Sequence, residues 1–382
     1  MKKILILIFA VTLIWSCSED SSTDSGNNDN QRVIKIGALL ALSGDASSFG
    51  QSSEAGVDVA AQDLLDYFIE NGINMGVKVI KADTKSDPTI ALEELKELKN
   101  QGVKIVIGPS TSAEAEACID FANRNDILLV SPSSVAISLS NPDDNLFRMA
   151  PNDKNQAKAV SAIMDNRVID AVAVVVRDDV WGRDLYNAVS SYYEQVGVMA
   201  EPYFYDPQNY DPQAIVDDLT DKVTDLSDNY NLWNIGAYMI TFEEGNEIME
   251  LAALNDTLSA VMWFGSSAYA GNKGIFENKS AAELAAKNIL ICPAFGMDPA
   301  FEAEWQPVYD AIEQQIARKP EVYGVTAYEG LYLAGLAHYS AGADASFQLL
   351  KDAYRFQTTK YRGVAGSIEL DDNGDRASGV YY

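Results

Sequence analysis

The chain has 382 residues and a formal net charge of −28, with Asp and Glu outnumbering Lys and Arg by 56 to 28. That balance argues against a nucleic-acid partner, because phosphate contacts need clustered Lys and Arg, and otherwise bears on solubility. A hydrophobic content of 47% over this length supports two domains of roughly 100–200 residues, each with its own core.

The beginning reads as an export signal over residues 1–16. Lys2 and Lys3 precede an apolar run from Ile4 to Trp15, which at about a dozen residues is too short for the ~20 that span a bilayer. Leu13-Ile14-Trp15-Ser16-Cys17 resembles the lipobox of bacterial lipoproteins and makes Cys17 the expected site of lipidation; an ordinary cleaved signal is the alternative. Residues 17–32 form the expected tether, since Ser18 to Asn30 contains no large apolar residue to offset chain entropy.

From Ile34 the chain alternates strand and helix. A mostly apolar strand to Leu42 is followed by a polar loop that carries Phe49, and a helix is expected from Ser52 with Val57, Ala61, Leu64 and Phe68 on its apolar face. Val77–Ala82 is a second strand, and Asp87-Pro88 opens a helix that stops before Gly102. Val103–Ile107 leads through Ser110-Thr111-Ser112 into an Ala-rich helix to about Arg124, and Ile127–Val130 ends in Ser131-Pro132-Ser133-Ser134. Strands joined by such crossovers build one parallel sheet.

A second series repeats the design. Leu146–Met149 precedes a helix capped by Asp153, and Ala171–Val176 is a buried strand followed by Asp178-Asp179-Val180-Trp181-Gly182 and another helix. Three more strands are expected at Trp233–Ile240, Ala260–Phe264 and Asn288–Cys292, with helices between them. Helices at about 301–317, 325–340 and 347–354 come next. The end reads as a β-hairpin of Ser367–Leu370 and Gly379–Tyr382 about Asn373-Gly374, a simpler account of its acidic turn than a calcium loop. Cys118 and Cys292, on an expected helix and strand, are expected as buried free thiols.

Lys35-Ile36-Gly37, Phe49-Gly50, Ser86-Asp87-Pro88, Ile107-Gly108-Pro109, Ser110-Thr111-Ser112, Ser131-Pro132-Ser133, Phe147-Arg148, Trp181-Gly182 and the segment Gly366–Gly379 together resemble the periplasmic leucine/isoleucine/valine-binding proteins, the type I group of solute-binding proteins. The resemblance implies an α/β fold of two doubly wound parallel-sheet lobes joined by three crossovers. It places residues 33–148 with 294–358 in lobe one and 149–293 with 359–382 in lobe two. It implies a lipid-anchored protein of the cell envelope, facing the periplasm or the surface, monomeric and without a cofactor. Such a protein delivers a small polar ligand, amino-acid-like or an organic acid, to an ABC-type permease; a separate signalling receptor is the alternative client.

The site follows from the same resemblance. Ser110, Thr111 and Ser112 match the loop that grips a ligand carboxylate with hydroxyls and helix-terminal N–H groups, although Ser112 could also serve as a helix cap. Phe49 and Trp181 match the aromatic residues that enclose the ligand, and Ser133, Ser134, Phe242 and Ser267 complete the expected ligand-binding set. Two positions depart from the amino-acid-binding pattern. Val135 stands where a Thr receives the ligand's ammonium, and Gly265-Ser266-Ser267-Ala268 replaces a lobe-two acid. Asp178, Asp179, Glu243 and Glu244 are the candidates to replace that acid. An enzyme is the competing class, but the single His338 lies in an apolar helical stretch. No nucleophile elbow, phosphate loop or metal-ligand spacing occurs.

Overall fold

The computed structural model describes residues 32–342 and 344–381. The expected signal peptide, Cys17 and nearly all of the tether lie outside the described residues, as does Tyr382. In lobe one, β1 (Arg32–Leu40), α1 (Ser47–Glu70), β2 (Met75–Asp83), α2 (Pro88–Asn100), β3 (Ile105–Ile107), α3 (Ser112–Arg124), β4 (Leu128–Ser131) and β5 (Leu146–Arg148) alternate. Lobe two carries α4 (Lys154–Asn166), β6 (Ala171–Arg177), α5 (Val180–Tyr193), β7 (Val198–Met199), β8 (Tyr203–Tyr205), α6 (Pro212–Ser227), β9 (Ile235–Ile240), α7 (Gly245–Ala252), β10 (Met262–Gly265), α8 (Lys273–Glu277) and α9 (Lys279–Lys287). The chain then returns through β11 (Phe295–Gly296), α10 (Glu302–Ile316), α11 (Val322–Ala341), α12 (Phe347–Lys360) and β12 (Val380–Tyr381).

Sheet one runs β2-β1-β3-β4-β5 and sheet two β10-β9-β6-β7, with β8 beside β6, and all of these pairs are parallel. Both sheets are covered on both faces, which is why their central strands are nearly continuous apolar runs. In β1, Ile36, Ala38 and Leu40 pack with residues of α1 and α11, whereas Leu39 joins Leu95 and Leu98 of α2 and Cys118 of α3. All seven residues of β6 are buried. One apolar cluster continues from Leu39 and Phe49 through Val135 and Tyr323 to Trp181 and Phe242, so the lobes meet across their carboxyl strand ends.

Several expected elements differ. α1 begins at Ser47 rather than Ser52 because its first turn receives a cap from lobe two: Ser48 N–H donates to Glu243 Oε1 at 2.5 Å, across 195 positions of sequence. Asp87 caps α2 as expected. The α3 cap is Thr111, in a reciprocal capping box with Glu114, not Ser112. Asp153 stands before α4 without capping it. The stretch 288–292 is not a strand and contributes a single parallel bridge, Ile291 to Phe264.

The C-terminal hairpin is shorter than expected. Gly374 N–H donates to Asp371 C=O and Leu370 bridges Arg376, with Gly374 at φ 82°, but Val380–Tyr381 pairs with Phe295–Gly296 instead. Residues 359–382 were expected in lobe two, yet Val364, Ala365, Ile368 and Leu370 are buried in the lobe-one core. The cause is Arg148, fully buried at the end of β5, whose guanidinium donates to both carboxylate oxygens of Asp375 at 2.5 Å. Among the described residues Cys118 and Cys292 form no disulfide; Cys118 is buried as expected, Cys292 only half-buried, and burial pushes each thiol up to about 12. Among the described residues no helix is long and apolar enough to cross a membrane.

Candidate ligand-binding cleft

The loops after β1, β3 and β4 of sheet one face those after β6, β9 and β10 of sheet two. Open α/β sheets bind ligands at this edge, where the strand order reverses, here between β1 and β3. The same local device serves both lobes. Phe49-Gly50 and Trp181-Gly182 each open a helix, and a Cβ on Gly50 would stand 1.8 Å from Ala41 O, one on Gly182 2.0 Å from Arg177 O. Glycine therefore lets each helix press onto the preceding strand end, and the residue before it is an aromatic aimed at the opposite lobe.

The walls of the cleft are Phe49, Ser110, Thr111, Ser112, Ser133, Val135, Trp181, Phe242, Ser267, Ala268 and Tyr323. All the expected residues are brought together except Ser134, whose buried hydroxyl has no partner and lies outside the lining. Trp181 stacks on Phe242 at 4.7 Å and 22°, and Phe49 meets Phe242 and Tyr323 edge-on, each at 5.6 Å. The space left is about 10 Å³, room for roughly one water molecule. The lobes are closed.

Ser112 does more than terminate a helix. Its Oγ accepts from the N–H groups of Val135 and Ala136, both at 3.1 Å, which uses its two lone pairs and leaves its proton to donate. Ser110 Oγ likewise accepts from Ala41 N–H at 3.0 Å, while Ser133 donates to Ser110 C=O at 2.6 Å. The capping box occupies the N–H groups of Thr111 and Glu114, and the N–H groups of Ser112 and Ala113 have no carbonyl four residues back. This wall therefore offers donors, and the helix dipole adds to its preference for an anion.

No charged side chain lines the cavity. The four acids considered as ammonium partners all bond elsewhere, although the buried Oε2 of Glu244 has no hydrogen-bond partner among the described residues. Asp178 pairs with Arg183 at 2.5 Å; Asp179 caps α5 through Gly182 N–H and accepts from Arg177 at 2.8 Å. Glu244 accepts from Arg177 at 2.7 Å and from Tyr205 hydroxyl at 2.5 Å, and Glu243 caps α1. Asp45 of lobe one also reaches Arg177, at 3.3 Å, so one buried guanidinium holds three carboxylates at the rim while lying 4.4 Å over the Phe242 ring. Burial and the neighbouring Glu244 raise the Asp45 carboxyl above its ordinary range.

Behind the cleft wall lies Asp153, whose carboxylate accepts from Trp181 Nε1 at 2.8 Å. Complete burial pushes Asp153 up to about 8, against the lowering effect of that hydrogen bond and of Arg148. Gln156 accepts from Ser267 N–H at 2.7 Å, and Tyr323 is hydrogen-bonded to Ser267. Tyr323 is the lining residue that the sequence reading missed. The expected helix began at 325, which left Tyr323 in a connecting stretch, whereas α11 begins at Val322 and presents Tyr323 in its first turn.

The sequence model described as "Periplasmic binding protein" matches residues 33–382. The chain belongs to this family. Such a family binds solutes outside the cytoplasm. A protein of Methanocaldococcus jannaschii is 26% identical over 98% of this chain and 92% of its own length. The Leu/Ile/Val-binding protein of Escherichia coli is 26% identical over 41% of this chain and 42% of its own. Among solved structures, the branched-chain amino acid binding protein LivJ of Streptococcus pneumoniae, in complex with isoleucine, superposes with a TM-score of 0.73 at 21% identity, covering 90% of this chain and 94% of that one. A solute-binding protein of Rhodopseudomonas palustris in complex with benzoate also gives 0.73, at 16% identity and 92% of both chains. These likenesses establish the two-lobed parallel-sheet fold.

Proposed function

We propose that this protein is a lipid-anchored solute-binding protein that closes on a small organic acid without an α-ammonium and hands it to an ABC-type permease. The observation that carries the ligand reading is the contrast between the donors of Ser110, Ser112 and the α3 terminus and the absence of any free carboxylate in the lining. An ammonium enclosed there would be unpaired, at a cost of several kcal/mol. A carboxylate meets hydroxyl and N–H donors, and its apolar body meets Phe49, Trp181, Phe242 and Tyr323. Isoleucine and benzoate, bound by the two solved relatives, both carry a carboxylate, and only isoleucine carries an ammonium.

Entry requires the lobes to part, because the closed cleft holds no more than a water. A thermal-shift panel of branched oxo and hydroxy acids, benzoate and the corresponding amino acids tests the class. Stabilisation by the acids alone is expected; stabilisation by no member would remove this ligand class. X-ray scattering is expected to show contraction on ligand addition. Cys17→Ser is expected to release the chain from membranes, and its continued membrane association would contradict the anchor.

A further inference from the structure

The amino ends of the sheet-one strands, opposite the cleft, carry a second pocket. It has a volume of about 260 Å³ and is walled by Arg32, Lys35, Lys104 and His338 together with backbone and apolar groups. In a chain with twice as many acids as bases, its walls contain no Asp or Glu. Arg32 donates to Gly342 C=O at 2.8 Å, Lys35 to Gln101 C=O at 2.8 Å and Lys104 to Ala345 C=O at 3.2 Å, and among the described residues none of the three forms an ion pair.

Carbonyls at the ends of α2 and α11 account for the positions of Lys35 and Arg32, since a helix C-terminus attracts positive charge, whereas Lys104 is held by the loop before α12. The remaining donors of Lys35 and Lys104, both exposed, face solvent and are open to a ligand. A lysine ammonium has three N–H groups and a guanidinium five, and here one bond per residue is made to the protein. His338 lies in the same wall, with its Nε2 buried and without a hydrogen-bond partner. Burial first, and then the nearby charges of Arg32 and Lys104, push this imidazole down to about 4.

We infer that Arg32, Lys35, Lys104 and His338 form a binding site for an oxyanion of the phosphate class, independent of the cleft. Its oxygens would take the spare donors of the three cations, with the His338 imidazole in the wall beside them. A phosphate group suits the site better than a carboxylate because it offers more acceptors and can carry two charges against three cations. Both a free phosphate-bearing solute and a phospholipid headgroup present this chemistry.

His338 is the only histidine of the chain, so its imidazole proton resonances report on this pocket alone. Unlipidated full-length protein titrated with inorganic phosphate at constant ionic strength is expected to show a saturable shift of those resonances, weakened at least about tenfold in Lys35→Gln and Lys104→Gln, with unfolding midpoints as the check on folding. Phosphatidylglycerol vesicles form the second arm, with phosphatidylcholine as control. A response to phosphate alone identifies a site for a soluble anion; a response to phosphatidylglycerol alone identifies a headgroup site. No saturable shift in either arm, or an equal shift with chloride, would overturn the inference.

Discussion

The floor and the rim of the cleft solve different problems with different chemistry. The floor holds hydroxyls, N–H groups and four aromatic rings without a formal charge, whereas the rim a few residues away crowds Asp45, Asp179 and Glu244 around Arg177 and sends Glu243 onto the start of α1. Floor contacts discriminate between ligands. Rim contacts from Asp45 and Glu243 cross between lobes, so they form only on closure and act on the open–closed equilibrium rather than on ligand identity.

That division can be broken most severely at Arg177. Arg177→Met leaves buried carboxylates unpaired and is expected to cost about 3–5 kcal/mol of stability, measured by urea unfolding; a loss below about 1 kcal/mol would mean that the rim charges are not coupled. Ser112→Ala acts on the floor. It removes a donor to the ligand and the acceptor for two loop N–H groups, and calorimetry is expected to show affinity for the bound acid falling about tenfold to a hundredfold, or ~1.5–3 kcal/mol. Equal loss for every ligand tested would move Ser112 from recognition to loop support.

Glu243→Gln sharpens the comparison from the rim. It keeps an acceptor for Ser48 N–H but removes the charge at the α1 terminus, so about a two- to fivefold faster release is expected, with ligand preference unchanged. The remaining test concerns pH. Asp153 titrates near 8 in the folded chain against an ordinary value of 3.8, so the folded state holds the proton more tightly and this group's stabilisation, complete below about 4, is lost as pH rises to about 8. Asp153→Asn is therefore expected to remove part of the decline in unfolding free energy across that interval. An identical pH profile in the variant would show that Asp153 is ionised throughout.

Much of the floor was legible in the sequence because its residues sit immediately after apolar strands. Phe49, Ser110–Ser112, Ser133 and Trp181 follow β1, β3, β4 and β6, and the paired Phe49-Gly50 and Trp181-Gly182 mark the two helix starts. The rim was not legible, since Asp45 with Arg177 and Ser48 with Glu243 are joined only by the meeting of lobes. Residues 364–376 were misplaced for a related reason. Nothing local tells that Asp375 must neutralise Arg148, which is buried 227 positions earlier. Tyr323 was hidden because the expected helix began three residues later than α11 does, and Asp153 looked like a cap because a cap and an indole acceptor use the same residue type.

The most direct test of the uncharged floor is a paired calorimetric titration of the protein with leucine and with the oxo acid of leucine, which differ at the carbon next to the carboxylate. Saturable binding of the oxo acid at least about tenfold tighter than leucine, or ~1.4 kcal/mol, is the expected result. Tighter binding of leucine would contradict the account, because it would require an ammonium partner that none of the cleft-lining side chains supplies.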